Sequence, residues 1–231
     1  MSFAKHSDAV PVDGAADGNK YHEQFCAELA DGMHALAQPL TILRSAIGML
    51  TLPNDAGIDR KRYLDLSERQ IDRTCNLFTS IQNLLAVKME PVARASVSHA
   101  KMLDRIIEDL STTLQEMGIG VVVLAPESLP AIYCDPQRTE QAIASVMRAA
   151  LSIFSRGDVI EISASRRDDG FEFMVRSADK QKSRLDSSAR LYLSLAKANI
   201  ESQQGKYEFT ESPFTVSLAL PLLSFEQNCS D

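Results

Sequence analysis

Two long helical patterns separated by a short turn constrain the fold of this chain more than any other feature. Residues 20–51 and 58–89 each follow a helical repeat, and the turn-forming segment 52–57 (Leu-Pro-Asn-Asp-Ala-Gly) lies between them. Each helix of about 30 residues would be roughly 45 Å long, well above the average for a globular domain. Two such helices joined by a short loop are typical of an antiparallel hairpin.

The apolar residues of both helices indicate how the hairpin is buried. They recur every three or four positions on the first helix and less regularly on the second. The first stripe comprises Phe25, Leu29, Met33, Leu36, Leu40, Leu43, Ile47 and Leu50, and the second comprises Leu64, Ile71, Cys75, Phe78 and Leu85, with Ile81 beside it. A lone hairpin buries two such stripes poorly, whereas a dimeric four-helix bundle would bury both. We therefore expect a homodimer.

From residue 91 onward the pattern changes to short strands mixed with helices. Helices are predicted at 102–117, 136–154 and 187–202, and strands at 121–124, 131–134, 159–165, 171–175, 206–210 and 214–221. Asp135 and Pro136 suit the N-cap and first turn of the second of these helices. Helices with antiparallel strands predict a two-layer α/β sandwich, an α+β fold. The expected divisions are a disordered leader at 1–19, the hairpin at 20–90, the sandwich at 91–224 and a tail at 225–231.

The charge and the composition exclude several function classes. A net charge of −7 argues against nucleic acid and anionic membrane surfaces as partners, because both require basic protein surface. No apolar run approaches the roughly 20 residues that span a bilayer, and we expect a cytoplasmic protein. The four cysteines and four histidines lack the spacing of a zinc site, so no metal site is expected.

His34 lies opposite the apolar stripe of the first helix. At 100° per residue it points about 160° away from Leu36, and Asp31, Gln38 and Thr41 share its side. An imidazole is in large part neutral and nucleophilic near pH 7, and it can accept a phosphoryl group and release it again because the N–P bond is labile. A surface histidine on a helix is more often merely solvated, so the neighbouring sequence must decide.

The segment around this histidine resembles the phosphoacceptor box of sensor histidine kinases, whose pattern is His-Glu-Leu-x-x-Pro-Leu-Thr. The matching residues are His34, Leu36, Pro39, Leu40 and Thr41. A proline inside a helix otherwise costs about 3 kcal/mol or more, so its position five residues after an outward histidine is a fairly specific signal. The resemblance implies that His34 is the phosphoacceptor.

Two neighbouring positions bear on the chemistry. The family's acidic residue after the histidine, which assists the attack on ATP as a base, is Ala35 here, and its loss puts self-phosphorylation in doubt. Gln38 lies one helical turn beyond the histidine, where a polar residue in related enzymes can orient a water for phosphatase chemistry. A solvated surface amide is an equally good interpretation of Gln38.

The resemblance continues through most of residues 20–224, but the nucleotide-binding motifs are altered. In register with the family, Ser145 and Ala149 occupy the asparagine positions that hold the nucleotide's magnesium, and Arg190 and Tyr192 occupy two glycine positions of the phosphate-binding box. Those glycines let backbone amides approach phosphates, and the magnesium neutralises the triphosphate. The resemblance therefore implies a kept fold with a dismantled nucleotide site.

This combination resembles the dimeric histidine phosphotransferases, which shuttle phosphate between receiver domains without ATP. It implies a relay in which one receiver aspartate phosphorylates His34 and a second receiver takes the group. The chain then needs no cofactor, since the receiver supplies the magnesium, and Asp31, Ala35, Gln38 and Thr41 would border the docked response regulator. The alternatives are a divergent but active histidine kinase, and a non-catalytic adaptor or inhibitor that uses the same surface.

Overall fold

A hairpin of two long helices opens the computed structural model, which describes residues 14–53, 59–126, 129–167, 170–178 and 185–221, with side chains from Phe25 onward. Helix α1 covers Gly14–Leu50 and α2 covers Arg60–Met89. The Asp59 carboxylate accepts a hydrogen bond from the Arg62 amide and so caps α2. The hairpin prediction is confirmed. Helix α1 begins earlier than predicted, so residues 14–19 of the proposed leader are helical, while residues 1–13 and 222–231 lie outside the described part.

The second half of the chain contains short strands and three helices. They are β1 (Ala95–Val97), α3 (His99–Met117), β2 (Gly120–Leu124), β3 (Ile132–Cys134), α4 (Pro136–Leu151), β4 (Val159–Arg167), β5 (Gly170–Ser177), α5 (Ser187–Glu201), β6 (Lys206–Thr210) and β7 (Thr215–Pro221). The Asp135 side chain caps α4, as predicted. Helix α4 ends at Leu151, not near residue 154. The sequence did not predict β1, which pairs antiparallel with β3.

Five of these strands form one sheet in the order β2-β4-β5-β7-β6. Strand β2 runs parallel to β4, and every other pair is antiparallel. Alternate residues of β4 and β7 are buried, so that one face of the sheet packs beneath the helices. The α+β class and the sandwich layered against a helical hairpin are therefore confirmed.

Helix α5 joins the two halves of the molecule, because it packs against α1 and α2 as well as α4 and the sheet. Ala35 of α1 and the buried apolar residues of α2 belong to the same apolar cluster as those of the sandwich. On α2 the inward stripe consists of Leu77, Ile81, Leu84 and Val87. Hairpin and sandwich therefore share one core.

The inward stripe of α2 differs from the predicted one. Leu64, Ile71, Cys75, Phe78 and Leu85 are all exposed on the single chain. On α1 the predicted stripe divides: Phe25, Leu29 and Leu36 pack against the core, whereas Met33, Leu40 and Ile47 are 59%, 48% and 49% exposed. Burial of the exposed residues by a second hairpin stays a prediction. The sequence pattern did not reveal that α5 packs against a separate face of the hairpin.

None of the helices in the described ranges is both long and apolar enough to cross a membrane.

Candidate functional site

His34 lies near the middle of α1 with its side chain exposed. Pro39, inside the same helix, is buried and has no N–H to donate to the carbonyl of Ala35. Two residues further on, the Thr41 hydroxyl donates a 2.8 Å hydrogen bond to the Ala37 carbonyl. The helix continues through the proline to Leu50, so the imidazole stands on a continuous helical surface that an approaching molecule can reach.

The residues predicted to border a docked partner are not all on that surface. Gln38 and Thr41 are exposed and Asp31 is half-buried. Ala35 is 0% exposed, so the prediction that it borders a partner is wrong. The physical reason is tertiary packing, because Ala35 belongs to the apolar cluster shared with the sandwich. Such long-range contacts are not visible in the local sequence.

A close approach at Gly32 explains how α5 reaches α1. A Cβ atom at Gly32 would lie 3.0 Å from Cγ1 of Ile81 and 3.2 Å from Cδ1 of Leu191. The missing side chain therefore lets α2 and α5 pack close to the backbone of α1. His34 is two residues away and thus about 160° round the helix. The sandwich consequently covers one side of α1 and leaves the histidine side open.

The sequence analysis missed Gly32 and Leu191 as positioning residues. The available signal was the pair of small residues Gly32 and Ala35, three positions apart and hence on one face of the helix. Small residues at that spacing allow another backbone element to come close. Nothing local identified Leu191 as the residue that occupies the space.

The positions that the sequence resemblance aligns with nucleotide-binding residues of kinases lie in α4 and α5. Ser145 and Ala149 are 0% exposed, and the Ser145 hydroxyl is buried without a hydrogen-bond partner among the described residues. Arg190 is exposed and Tyr192 is only 7% exposed. A buried serine and alanine supply no carboxamide for magnesium, and two large side chains replace the bare backbone that a phosphate needs. These residues do not fit a magnesium-bound triphosphate.

Burial also affects the phenol of Tyr192. Desolvation raises its pKa, an effect that the positive charges of Arg148 and Arg73 partly offset and that Asp186 reinforces. The ring therefore stays neutral at physiological pH and can donate a hydrogen bond from its hydroxyl group.

The solved structures that this chain resembles include histidine kinases. Histidine kinase AdeS of Acinetobacter baumannii superposes with a TM-score of 0.66 at 14% identity and covers 83% of this chain and 98% of that one. The chain has the histidine kinase fold. Histidine kinase ThkA, solved in complex with response regulator protein TrrA, gives a TM-score of 0.63 at 15% identity over 94% of this chain and 68% of that chain.

The sequence match covers less of this chain than the structural matches do. The adaptive-response sensory kinase SasA of Crocosphaera subtropica is 24% identical over 157 residues. That match covers 64% of this chain, which spans 40% of the length of the relative. No family model matches the sequence.

Proposed function

We propose that this protein is a phosphorelay histidine phosphotransferase that uses His34 as its phosphoacceptor and uses no ATP. The observation that carries the proposal is a contrast within one fold. His34 is exposed and lies in the segment that resembles the kinase phosphoacceptor box, while the positions that the resemblance aligns with nucleotide and magnesium residues carry buried Ser145 and Ala149 and the large side chains of Arg190 and Tyr192.

In the proposed first step, an imidazole nitrogen of His34 attacks the phosphorus of an aspartyl phosphate on a receiver domain. The N–P bond forms, the acyl P–O bond breaks, and the receiver's carboxylate leaves. The second step is the reverse reaction with the aspartate of another receiver. The charge of the transferred group is neutralised by the magnesium of the receiver, so that this chain contributes a positioned nucleophile and a docking surface.

The partner surface follows from the open side of α1. Asp31, Gln38 and Thr41 lie on it beside His34, and Ala35 does not. Receiver domains as partners are supported by the solved complex of ThkA with a response regulator. The exposed amide of Gln38 is one turn from His34 and is available for a hydrogen bond to a docked receiver or to a water.

The proposed functional unit is a homodimer. Two exposed apolar series run along the hairpin at seven-residue spacing, with Met33, Leu40 and Ile47 on α1 and Leu64, Ile71, Phe78 and Leu85 on α2. The four α2 side chains are 53%, 48%, 53% and 39% exposed. A seven-residue apolar repeat is the pattern by which long helices pack side by side. A second hairpin would cover both series and complete a four-helix bundle.

Transfer of labelled phosphate tests the proposal. The full chain is incubated with purified receiver domains that carry radiolabelled aspartyl phosphate and, separately, with γ-labelled ATP. We expect acid-labile label on the chain from a receiver and none from ATP. His34→Gln should abolish labelling, whereas His22→Gln, a histidine change on the same helix, should not.

The other outcomes separate the remaining functions. Label from ATP would overturn the proposal and identify a divergent histidine kinase. Receiver binding without label on His34 would overturn the proposal in favour of an adaptor or inhibitor. The presence of Ala35 where the kinase pattern has an acidic residue is compatible with that function too.

A further inference from the structure

A cavity of about 320 Å³ lies at the seam between the hairpin and the sandwich. Its walls come from α2, α3, α4 and the first turns of α5, so that it borders both halves of the molecule. The charged and hydroxyl groups that line it include Arg73, Arg148, Asp186, Ser188 and Tyr192. Of the positions aligned above with nucleotide-binding residues of kinases, Tyr192 lies in its lining, whereas Ser145, Ala149 and Arg190 do not.

The cavity has an excess of positive charge. Arg73 donates a 3.1 Å hydrogen bond to the Asp186 carboxylate and a 2.9 Å hydrogen bond to the Ser188 hydroxyl. That pairing neutralises one of the two arginines. Arg148 is half-buried and has no carboxylate or hydrogen-bond partner in the described part of the chain. A half-buried guanidinium that lacks a counter-ion favours an anion beside it.

Hydrogen-bond donors line the same cavity as the Arg148 guanidinium. Arg73, Ser188 and Tyr192 all contribute to its walls. The phenol and the Ser188 hydroxyl can each contribute a hydrogen bond. A guanidinium fork presents parallel N–H donors that match two oxygens of a phosphate group. The cavity therefore offers both the charge and the directed donors that an oxyanion requires.

The size of the cavity limits the ligand. Ligand pockets range from about 300 to 1,000 Å³, so this one is at the lower end and suits a compact molecule. We propose that the cavity binds a small phosphate-bearing ligand, inorganic phosphate or a short phosphate monoester, held by Arg148 with Tyr192 and Ser188. Such a ligand would contact α2 and the sandwich together. This inference goes beyond the proposed relay and does not depend on it.

Binding by the full chain is measured by isothermal titration calorimetry and by the shift in melting temperature, at constant ionic strength. The probes are inorganic phosphate, glycerol 3-phosphate, citrate and the non-hydrolysable nucleotide AMPPNP. We expect saturable binding of a phosphate probe and a rise in melting temperature, because a ligand that binds only the folded state stabilises it. The two phosphate probes distinguish the free ion from a monoester.

Arg148→Met should weaken phosphate binding by about tenfold or more, since a hydrogen bond to a charged group contributes about 1.5–3 kcal/mol. Tyr192→Phe, which keeps the ring, should weaken it by a smaller factor. The matched control is Arg190→Met. Arg190 is an exposed arginine on the same helix as Tyr192 and does not line the cavity, so this variant should bind phosphate with the affinity of the wild type.

Three results would show that the cavity does not select a phosphate group. They are the absence of saturable phosphate binding, equal loss of affinity in the Arg148 and Arg190 variants, and tighter binding of citrate than of either phosphate probe. AMPPNP binding tighter than phosphate binding would overturn the inference as well, because the ligand would then be a nucleotide. The His34 labelling experiment is unaffected by any of these outcomes, so the two proposals fail separately.

Discussion

The guanidinium of Arg138 donates a 2.6 Å hydrogen bond to the main-chain carbonyl of Glu90, the residue that caps the C-terminus of α2. It also donates a 3.2 Å hydrogen bond to the Val87 carbonyl and lies 3.5 Å from the carboxylate of Asp135. A cation is favourable at the carbonyl end of a helix. The first turn of α4 is thus tied directly to the last turn of the hairpin.

Replacing Arg138 by Met should lower the free energy of unfolding by about 3 kcal/mol, because the change removes the hydrogen bonds to the Val87 and Glu90 carbonyls and leaves the buried Asp135 carboxylate without its cationic partner. The Arg138 and Asp135 side chains are only 8% and 7% exposed. Urea denaturation followed by circular dichroism measures the loss. The control is Arg105→Met, which removes an ion pair with Glu140 in which the arginine is 57% exposed, and it should change stability by less than about 1 kcal/mol. Equal effects would contradict the structural role of Arg138.

Two helical glycines of α1 should respond in opposite directions to larger side chains. Gly48→Ala should stabilise the protein by about 1 kcal/mol, because a Cβ there meets no atom within 4 Å and alanine favours the helix. Gly32→Leu should destabilise it by about 2–3 kcal/mol, because the side chain must displace Ile81 and Leu191. Chemical denaturation of both variants checks this. Stabilisation by Gly32→Leu would show that α5 does not pack closely on α1.

Phe78→Asp should convert a dimer into a monomer, because it places a charge in the middle of the exposed seven-residue repeat of α2. Sedimentation velocity over a range of protein concentrations measures the change in mass. Val123→Asp is the control, since Val123 is an apolar residue of β2 with 43% exposure outside the hairpin, and this variant should stay dimeric. A Phe78→Asp protein that sediments as a dimer would contradict the proposed bundle.

Thiol labelling should distinguish Cys134 from Cys75. Cys134 is buried, and desolvation raises the pKa of its thiol, so less of the reactive thiolate is present at a given pH. Cys75 is exposed on the single chain. With iodoacetamide at pH 8 in the Phe78→Asp variant, Cys75 should be modified well before Cys134, as followed by peptide mass spectrometry. In guanidinium chloride the two rates should converge, and equal rates in the native protein would contradict the burial of Cys134.

The sequence predicted the order of elements because each boundary carries a local signal. Asp135 and Pro136 marked the start of α4, and the turn-forming segment 52–57 separated the two long helices. The three-residue strand β1 has no such signal, since its pairing with β3 is a long-range contact. The exposed histidine also followed from local spacing, because the angle between His34 and the apolar side of α1 depends only on helix geometry.

The faces of the helices were harder to predict than their ends. Helix α2 carries two apolar series, of which the heptad through Ile71 and Phe78 is outward and the series through Leu77 and Leu84 is inward. Periodicity alone does not show which of the two series faces the core. The packing of α5 against α2 determines that the series through Leu77 and Leu84 does. The burial of Ala35 was equally hard to predict. A small side chain is compatible with either side of a helix, so only the tertiary contacts decide whether it is covered.

The shared core also bears on how the chain can be divided. Helix α5 covers the inward series of the hairpin, so a fragment that ended at residue 90 would expose Leu77, Ile81 and Leu84 in addition to the heptad on the outer side. Such a fragment would be apolar on two faces and prone to aggregation. The hairpin that carries His34 is therefore not a detachable module, and any transplant of His34 onto another protein has to carry the sandwich with it.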